Sequence, residues 1–185
     1  LVKRARDIWY QRVLPMAHNI RTRATVRIPA KLVPYSPAWS GDARRIINRL
    51  KMACGHKALR VDHIGLTTVE GMDAKDVIDI QVTVESLDIA DELGAALTDV
   101  GYPRIDDITS DVPHGGDPSK WGKRIHGAAD PGRPTNVHIR VNGWPNQQFA
   151  LLFVDWLTAN PDVRADYSAA KREALGTPDY PEAKE

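Results

Sequence analysis

Cysteine is nearly absent: Cys54 is the one such residue in 185. That excludes an intrachain disulfide and any cysteine-based zinc site, and it fits a reducing compartment, the cytoplasm by default. No Cys/His pattern surrounds Cys54, so a small buried hydrophobe is expected there. Long apolar runs are missing as well. Nothing approaches the ~20 residues that span a bilayer, and the basic N-terminus is followed by no signal-peptide core, so no membrane partner is expected. Net charge is scarce too. Lys and Arg number 25 against 24 Asp and Glu, a formal +1. Such a balance gives no global field for nucleic acid, and any anion site must be local. No stretch reads Gly-x-x-x-x-Gly-Lys-[Ser/Thr], so a P-loop is absent.

What is present is the composition of one globular domain, 42% hydrophobic and 26% charged, enough to bury a real core. The chain begins at Leu1 and not at a methionine, and its first stretch is basic and interrupted by Pro15. This reads as a connecting helix cut from something longer, with Val2, Ala5, Trp9 and Val13 on one stripe. The expected division is 1–24 as that connecting segment, 25–176 as the domain and 177–185 as a tail that frays.

Along the domain, 31–35 reads as a short strand closed by Ser36-Pro37. After Ser40 as cap, Ala43, Ile46, Ile47, Leu50 and Ala53 give an amphipathic helix that Gly55 stops. Strands are expected over 60–68 and 77–84. Ser86 then caps a helix to about Val100, ended by Gly101-Tyr102-Pro103. Residues 106–120 are rich in Asp, Gly and Pro and read as a mobile surface loop. Further strands fall at 121–128 and 136–141. The stretch 147–159, with Phe149, Leu152, Phe153, Trp156 and Leu157 in helical register, is expected to be the most buried helix. A polar helix over 162–175 closes the domain. This pattern is an α+β fold, a mixed β-sheet flanked by helices.

Strand alternation points to a site, because successive side chains face opposite sides of a sheet. Ile78, Ile80, Val82 and Val84 leave Asp79, Gln81 and Thr83 on the other face. Val137, Ile139 and Val141 do the same for Asn136, His138 and Arg140, while Arg124 and His126 share a face of the strand before. If the three strands are neighbours, one face carries Asp79, Gln81, Arg124, His126, His138 and Arg140. That would be a mostly cationic concavity suited to a phosphate or carboxylate, which guanidinium groups grip through paired hydrogen bonds. An ordinary solvated sheet face has the same alternation. His126 and His138 lack a third ligand to close a metal site. A Thr67/Thr68, His138, Asp79 nucleophile arrangement has no sharp turn to support it. Trp144, Phe149, Phe153 and Trp156 are expected to pack the core and not to stack on bases.

The run Asp62-His63-Ile64-Gly65-Leu66-Thr67-Thr68, then Lys75 and Asp79-Ile80-Gln81, resembles the GrpB family. So do 136–140, Asn-Val-His-Ile-Arg, and 152–161, Leu-Phe-Val-Asp-Trp-Leu-Thr-Ala-Asn-Pro. The basic opening segment, Ala53-Cys54-Gly55-His56 and Asn142-Gly143-Trp144-Pro145-Asn146 are closer still to the GrpB-like C-terminal domain fused to dephospho-CoA kinase in actinobacteria. The resemblance implies a nucleotidyltransferase-like fold in which a Gly-Ser turn holds a phosphate and two or three acids bind Mg²⁺. Mapped here, Asp79 takes the catalytic and metal position. Gly65, Thr67, Thr68, Lys75, Gln81, Arg124, His126, His138 and Arg140 become the phosphate-binding candidates.

Two departures stand out. Leu66 replaces the serine after Gly65, and Gln81 stands where a second carboxylate is needed, leaving Asp79 a weak anchor for Mg²⁺. Asp62, Glu70, Asp73, Asp76 and Glu85 lie off that face or on loops and strand ends. The resulting expectation is an accessory domain whose partner is the N-terminal kinase domain of the same polypeptide, with a nucleotide or CoA precursor as ligand. An active Mg²⁺-dependent nucleotidyltransferase is the alternative.

Overall fold

A computed structural model describes residues 2–26 and 31–175; the tail expected to fray lies outside them. A first helical stretch runs from α1 (Val2–Ile8) through a π-helical turn (Trp9–Val13) into α2 (Leu14–Thr22). Pro15 does not interrupt it. The wider turn, with Leu14 N–H donating to Trp9 O, comes just before the proline and accommodates its ring and missing N–H. The expected stripe is not its packing face, since Val2, Trp9 and Val13 are exposed. Arg12, Asn19, Met16 and Ile20 make the contacts instead, with Asp130, the Ala129 carbonyl and the surroundings of Gly101.

β1 (Leu32–Val33) is shorter than expected and pairs antiparallel with β3 (Ala74–Lys75) in a two-stranded sheet. Between them come α3 (Ala38–Cys54) and β2 (Arg60–Ile64). Helix α3 starts before Ser40, its N-cap being Pro37 with no side-chain cap. It buries Trp39, Ala43, Ile46, Leu50 and Cys54, and Trp39 Nε1 donates to Asp76 at 2.7 Å. β2 ends four residues early because Gly65 turns the chain into a 3₁₀ segment, Leu66–Thr68.

The chain continues through β4 (Ile78–Val84), α4 (Leu87–Glu92), α5 (Gly94–Asp99) and β5 (Arg104–Ile105). Ser86 caps α4 by accepting from Ile89 N–H. β6 (Lys123–Gly127), β7 (Thr135–Val141), α6 (Pro145–Ala159) and α7 (Arg164–Leu175) complete the order.

The main sheet is five-stranded, β2-β4-β7-β6-β5, with β4 and β7 parallel and the other neighbours antiparallel. The fold is α+β, a mixed sheet with helices on both faces. Helices α3, α4 and α5 cover the apolar face, and Ile78, Ile80, Val82, Val84, Val137 and Ile139 join Leu50 and Leu97 in one core. Helix α6 lies on the other face, with Gln147 O accepting from Gln81.

Helix α6 is not the most buried helix. Leu157 is fully enclosed, but Phe149, Leu152 and Trp156 are 52%, 63% and 51% exposed. Its inward face begins with polar groups, Asn146 and Gln147, because the sheet face beneath them is polar. The apolar positions at 149, 152 and 156 therefore turn outward.

Candidate functional site

Strand register decides which side chains meet. Asp79 lies opposite Asn136, Gln81 opposite His138 and Thr83 opposite Arg140, so Asp79, Gln81, His138 and Arg140 do share a face. β6 pairs Ile125 with His138 and Lys123 with Arg140, which puts Lys123 on that face. Arg124 and His126 pair with Ile139 and Val137 and so face the opposite side, contrary to expectation. In Lys-Arg-Ile-His-Gly one isolated apolar residue sets the parity, and Ile125 belongs to the polar side. Arg124 instead grips Asp91 of α4 through two nitrogens at 2.7 Å. His126 is fully enclosed, with Nδ1 2.8 Å from Tyr102 O. Burial lowers its pKa, with the Tyr102 carbonyl opposing that shift. Lys75 is on the small sheet, paired with Leu32.

At the N-terminal end of β4, Gly65 crosses close to Asp79. It has φ +74°, and a β-carbon there would come within 2.9 Å of Asp79 Oδ2. Asn136 Nδ2 donates to Asp79 Oδ1 at 2.9 Å, and His138 Nε2 stands 3.6 Å from the same oxygen. The threonine hydroxyls of the turn are engaged locally: Thr68 donates to Gly65 O at 2.6 Å, and Thr67 meets His63 Nε2 at 2.8 Å. Burial brings the pKa of His63 down to about 4, with Asp79 pulling the other way. Burial does the same for His138, also to about 4, helped by Arg140 and Lys123 and opposed by Asp79. Both imidazoles are neutral at pH 7. Burial pushes the Cys54 thiol up to about 11, which makes it inert as a nucleophile.

The middle of the face is a closed polar network. Gln81 is fully buried and uses both ends of its amide: Oε1 accepts from Arg140 at 2.8 Å, and Nε2 donates to Gln147 O at 3.1 Å. Asp111, which the sequence reading leaves in a mobile loop, pairs with Arg140 at 2.9 Å and with Lys123. Asn146 of α6 adds a donor at 3.1 Å. Burial opposes ionisation of Asp111, but hydrogen bonds and charge from Arg140 and Lys123 outweigh it and hold the carboxyl well below the usual range. Both basic groups are thus already paired with one acid of the chain itself. The loop is anchored here, with Asp111 N–H bonded to Trp121 O and Lys123 N–H to Thr109 O. No periodicity marks Asp111 as a site residue; its one signal is an acid in a segment flanking a basic strand.

This donor set does not fit Mg²⁺, which requires near-octahedral oxygen ligation. Asp79 offers one carboxylate, Gln81 has its oxygen committed to Arg140, and both Asp111 oxygens are held by cations. Among the described residues no three His, Cys, Asp or Glu side chains converge on a point that could hold a metal. Beside the face, β2 and α6 enclose a groove of about 690 Å³ lined by Arg60, Asp62, His63, Leu152 and Asp155, among others. Arg60 there is paired with Asp62 at 2.8 Å.

The architecture and the Gly65–Asp79 corner define a class of small α+β domains with a polar sheet face under one helix. The chain belongs to the GrpB family, whose model, described as "GrpB protein", matches residues 29–185. It is similar to the solved structure of GrpB from Enterococcus faecalis, with a TM-score of 0.64 and 25% identity over 81% of this chain and 88% of that one. It is 60% identical over 189 residues to the dephospho-CoA kinase of Mycobacterium tuberculosis, a match covering 94% of this chain and 46% of that protein. The Mycobacterium leprae dephospho-CoA kinase is 57% identical over 192 residues, covering 94% and 47%. A UPF0157 protein of Halalkalibacterium halodurans is 34% identical over 145 residues, covering 77% and 67%. The chain thus spans about half the length of the dephospho-CoA kinases it matches.

Proposed function

We propose that this chain is an accessory domain of a cytoplasmic dephospho-CoA kinase, acting by packing against the kinase part of the same polypeptide and not by phosphoryl transfer of its own. One observation carries the reading. Where a nucleotidyltransferase needs a second carboxylate beside Asp79, Gln81 is buried with its amide committed at both ends. Two metal ions require paired acids to stabilise both oxygens of a phosphoryl displacement, and this face pairs its other acid with Arg140 and Lys123.

The packing half is supported by α6. Phe149, Leu152 and Trp156 recur at i, i+3 and i+7 and present an apolar strip to solvent, the arrangement that helix-mediated contacts use. Expressing the full-length kinase with Leu152→Lys and Trp156→Ser tests it. Reduced soluble yield or kinase activity is expected; an unchanged yield and activity overturns the packing role.

A nucleotide or CoA precursor is the ligand class carried by the family likeness, and the groove between β2 and α6 is within the size range of small-molecule sites. Calorimetry with ATP, CTP, dephospho-CoA and CoA checks this half, and absence of heat for all four leaves packing alone. Labelled-nucleotide transfer with Mg²⁺, lost in Asp79→Ala, would instead establish the nucleotidyltransferase alternative.

A further inference from the structure

A second cavity, of about 210 Å³, opens away from the sheet face, where the N-terminal helix, α3 and the β6–β7 connection meet. Arg12, Asp42, Arg45, Arg49, Asp130 and Arg133 are in its wall. Four guanidinium groups face the two carboxylates of the wall and Asp76 just outside it, which leaves a local excess of positive charge.

The carboxylates are unevenly shared. Arg12 takes Asp130, through Nε at 2.9 Å and a terminal nitrogen at 2.7 Å. Asp42 serves both Arg45 and Arg133, the latter at 3.3 Å. Arg133 finds its closer anchor outside the cavity, in Asp76 at 2.5 Å. Arg49, one helical turn after Arg45, acts by its charge on the Tyr102 hydroxyl and on Asp130. Arg133 Nε is buried with no acceptor among the described residues. Arg12 lies over Gly132, where a β-carbon would require that side chain to shift.

We propose that this cavity is a binding site for a single phosphoryl group, held by Arg45, Arg49 and Arg133 with Arg12 closing one wall. Guanidinium forks match the oxygens of a phosphate through paired, charge-assisted hydrogen bonds. The volume is below the roughly 300 Å³ at which sites for drug-sized molecules begin, so a phosphate fits and a nucleoside does not. An anion there would bridge three pieces of chain and add to the contacts that Arg12 and Asn19 already make, tightening the seat of the N-terminal helix. The inference does not depend on the sheet face or on the packing role of α6.

Calorimetric titration of the whole chain with inorganic phosphate, and in parallel with ribose 5-phosphate, tests the site at low ionic strength against matched chloride. Saturable binding of phosphate is expected, weakened about tenfold or more in Arg45→Ala/Arg49→Ala and less in Arg45→Ala/Arg49→Lys, which keeps a cation at that position. Equal affinity for the two ligands assigns the free ion, and preference for the ester assigns the phosphorylated end of a larger molecule. No saturable phosphate binding in the millimolar range, or binding that the double variant leaves unchanged, overturns the site. Both side chains are exposed, so the variant should fold. If its circular dichroism shows otherwise, Arg49→Gln is titrated instead, and undiminished affinity is equally fatal.

Discussion

Asp111 and Arg140 face each other as a two-pronged ion pair: Arg140 Nε donates to Oδ2 at 2.9 Å and a terminal nitrogen to Oδ1 at 3.2 Å. Arg140 is 7% exposed, so this acid arrives from a connecting segment to neutralise a nearly buried cation. Lys123 binds the same carboxylate and Gln81 takes the remaining guanidinium nitrogen. A face whose charges promise an open anion site in one dimension is, in three, closed by an acidic side chain in the place an oxyanion would occupy.

Asp111→Ala should therefore unfold at lower denaturant than the parent. Removing one partner of this partly buried pair leaves Arg140 and Lys123 without their acid, which costs up to about 3 kcal/mol. Urea unfolding followed by tryptophan fluorescence measures it. A change within about 0.5 kcal/mol, the range of ordinary surface substitutions, would show the contact to be solvent-screened and of no consequence.

Acid should weaken the fold in two stages. His63 and His138 have pKa values lowered from 6.5 to about 4, so between those values the unfolded chain takes up protons that the folded chain refuses. Stability then falls as pH drops from about 6.5 to about 4, by on the order of 3 kcal/mol per histidine. Asp111 has a depressed pKa. Its contribution is present above the ordinary carboxyl value near 4 and is lost only below it. Urea midpoints at pH 7, 5.5 and 4.5 test the first stage, and His63→Gln with His138→Gln should flatten that slope. An unchanged slope in the double variant would refute the assignment.

Gly65 and Asp79 are coupled by contact. Gly65→Ala places a β-carbon against the Asp79 carboxylate at a backbone φ of +74°, a combination expected to cost about 1–3 kcal/mol. In the double variant Gly65→Ala/Asp79→Ala the collision disappears and the backbone cost remains. The two changes together should then cost less than the sum of the singles by at least 0.5 kcal/mol or so, the scale of coupling between touching residues. Strict additivity in a double-mutant cycle would deny the contact.

Much of this arrangement is legible in the chain, and the failures have physical reasons. The alternation of Ile78, Ile80, Val82 and Val84 correctly places Asp79 and Gln81 on one face with His138 and Arg140, because a strand buried under helices shows its period plainly. β6 lacks such a run. Its parity is set by pairing with β7, so Arg124 and His126 emerge on the side opposite to the one expected. Asp111 is invisible to periodicity because a loop has none. It reaches the site through hydrogen bonds between distant backbone groups. Helix α6 shows a further limit: apolar spacing says that a face avoids water but does not say which partner covers it.

Leu157 and Leu152 separate those two meanings of apolarity on a single helix. Leu157 is fully buried and Leu152 is 63% exposed. Leu157→Ala opens a cavity in the main core and should cost about 2–5 kcal/mol, seen as an earlier thermal transition. Leu152→Lys in this chain should change stability by no more than about 0.5 kcal/mol, since its side chain is already in water. If α6 packs against a neighbouring domain as proposed, the same Leu152→Lys change in the longer polypeptide should lower its thermal transition, because a charge would sit in that interface. If both contexts tolerate it equally, the apolar strip of α6 is a solvent-facing surface and packs against nothing.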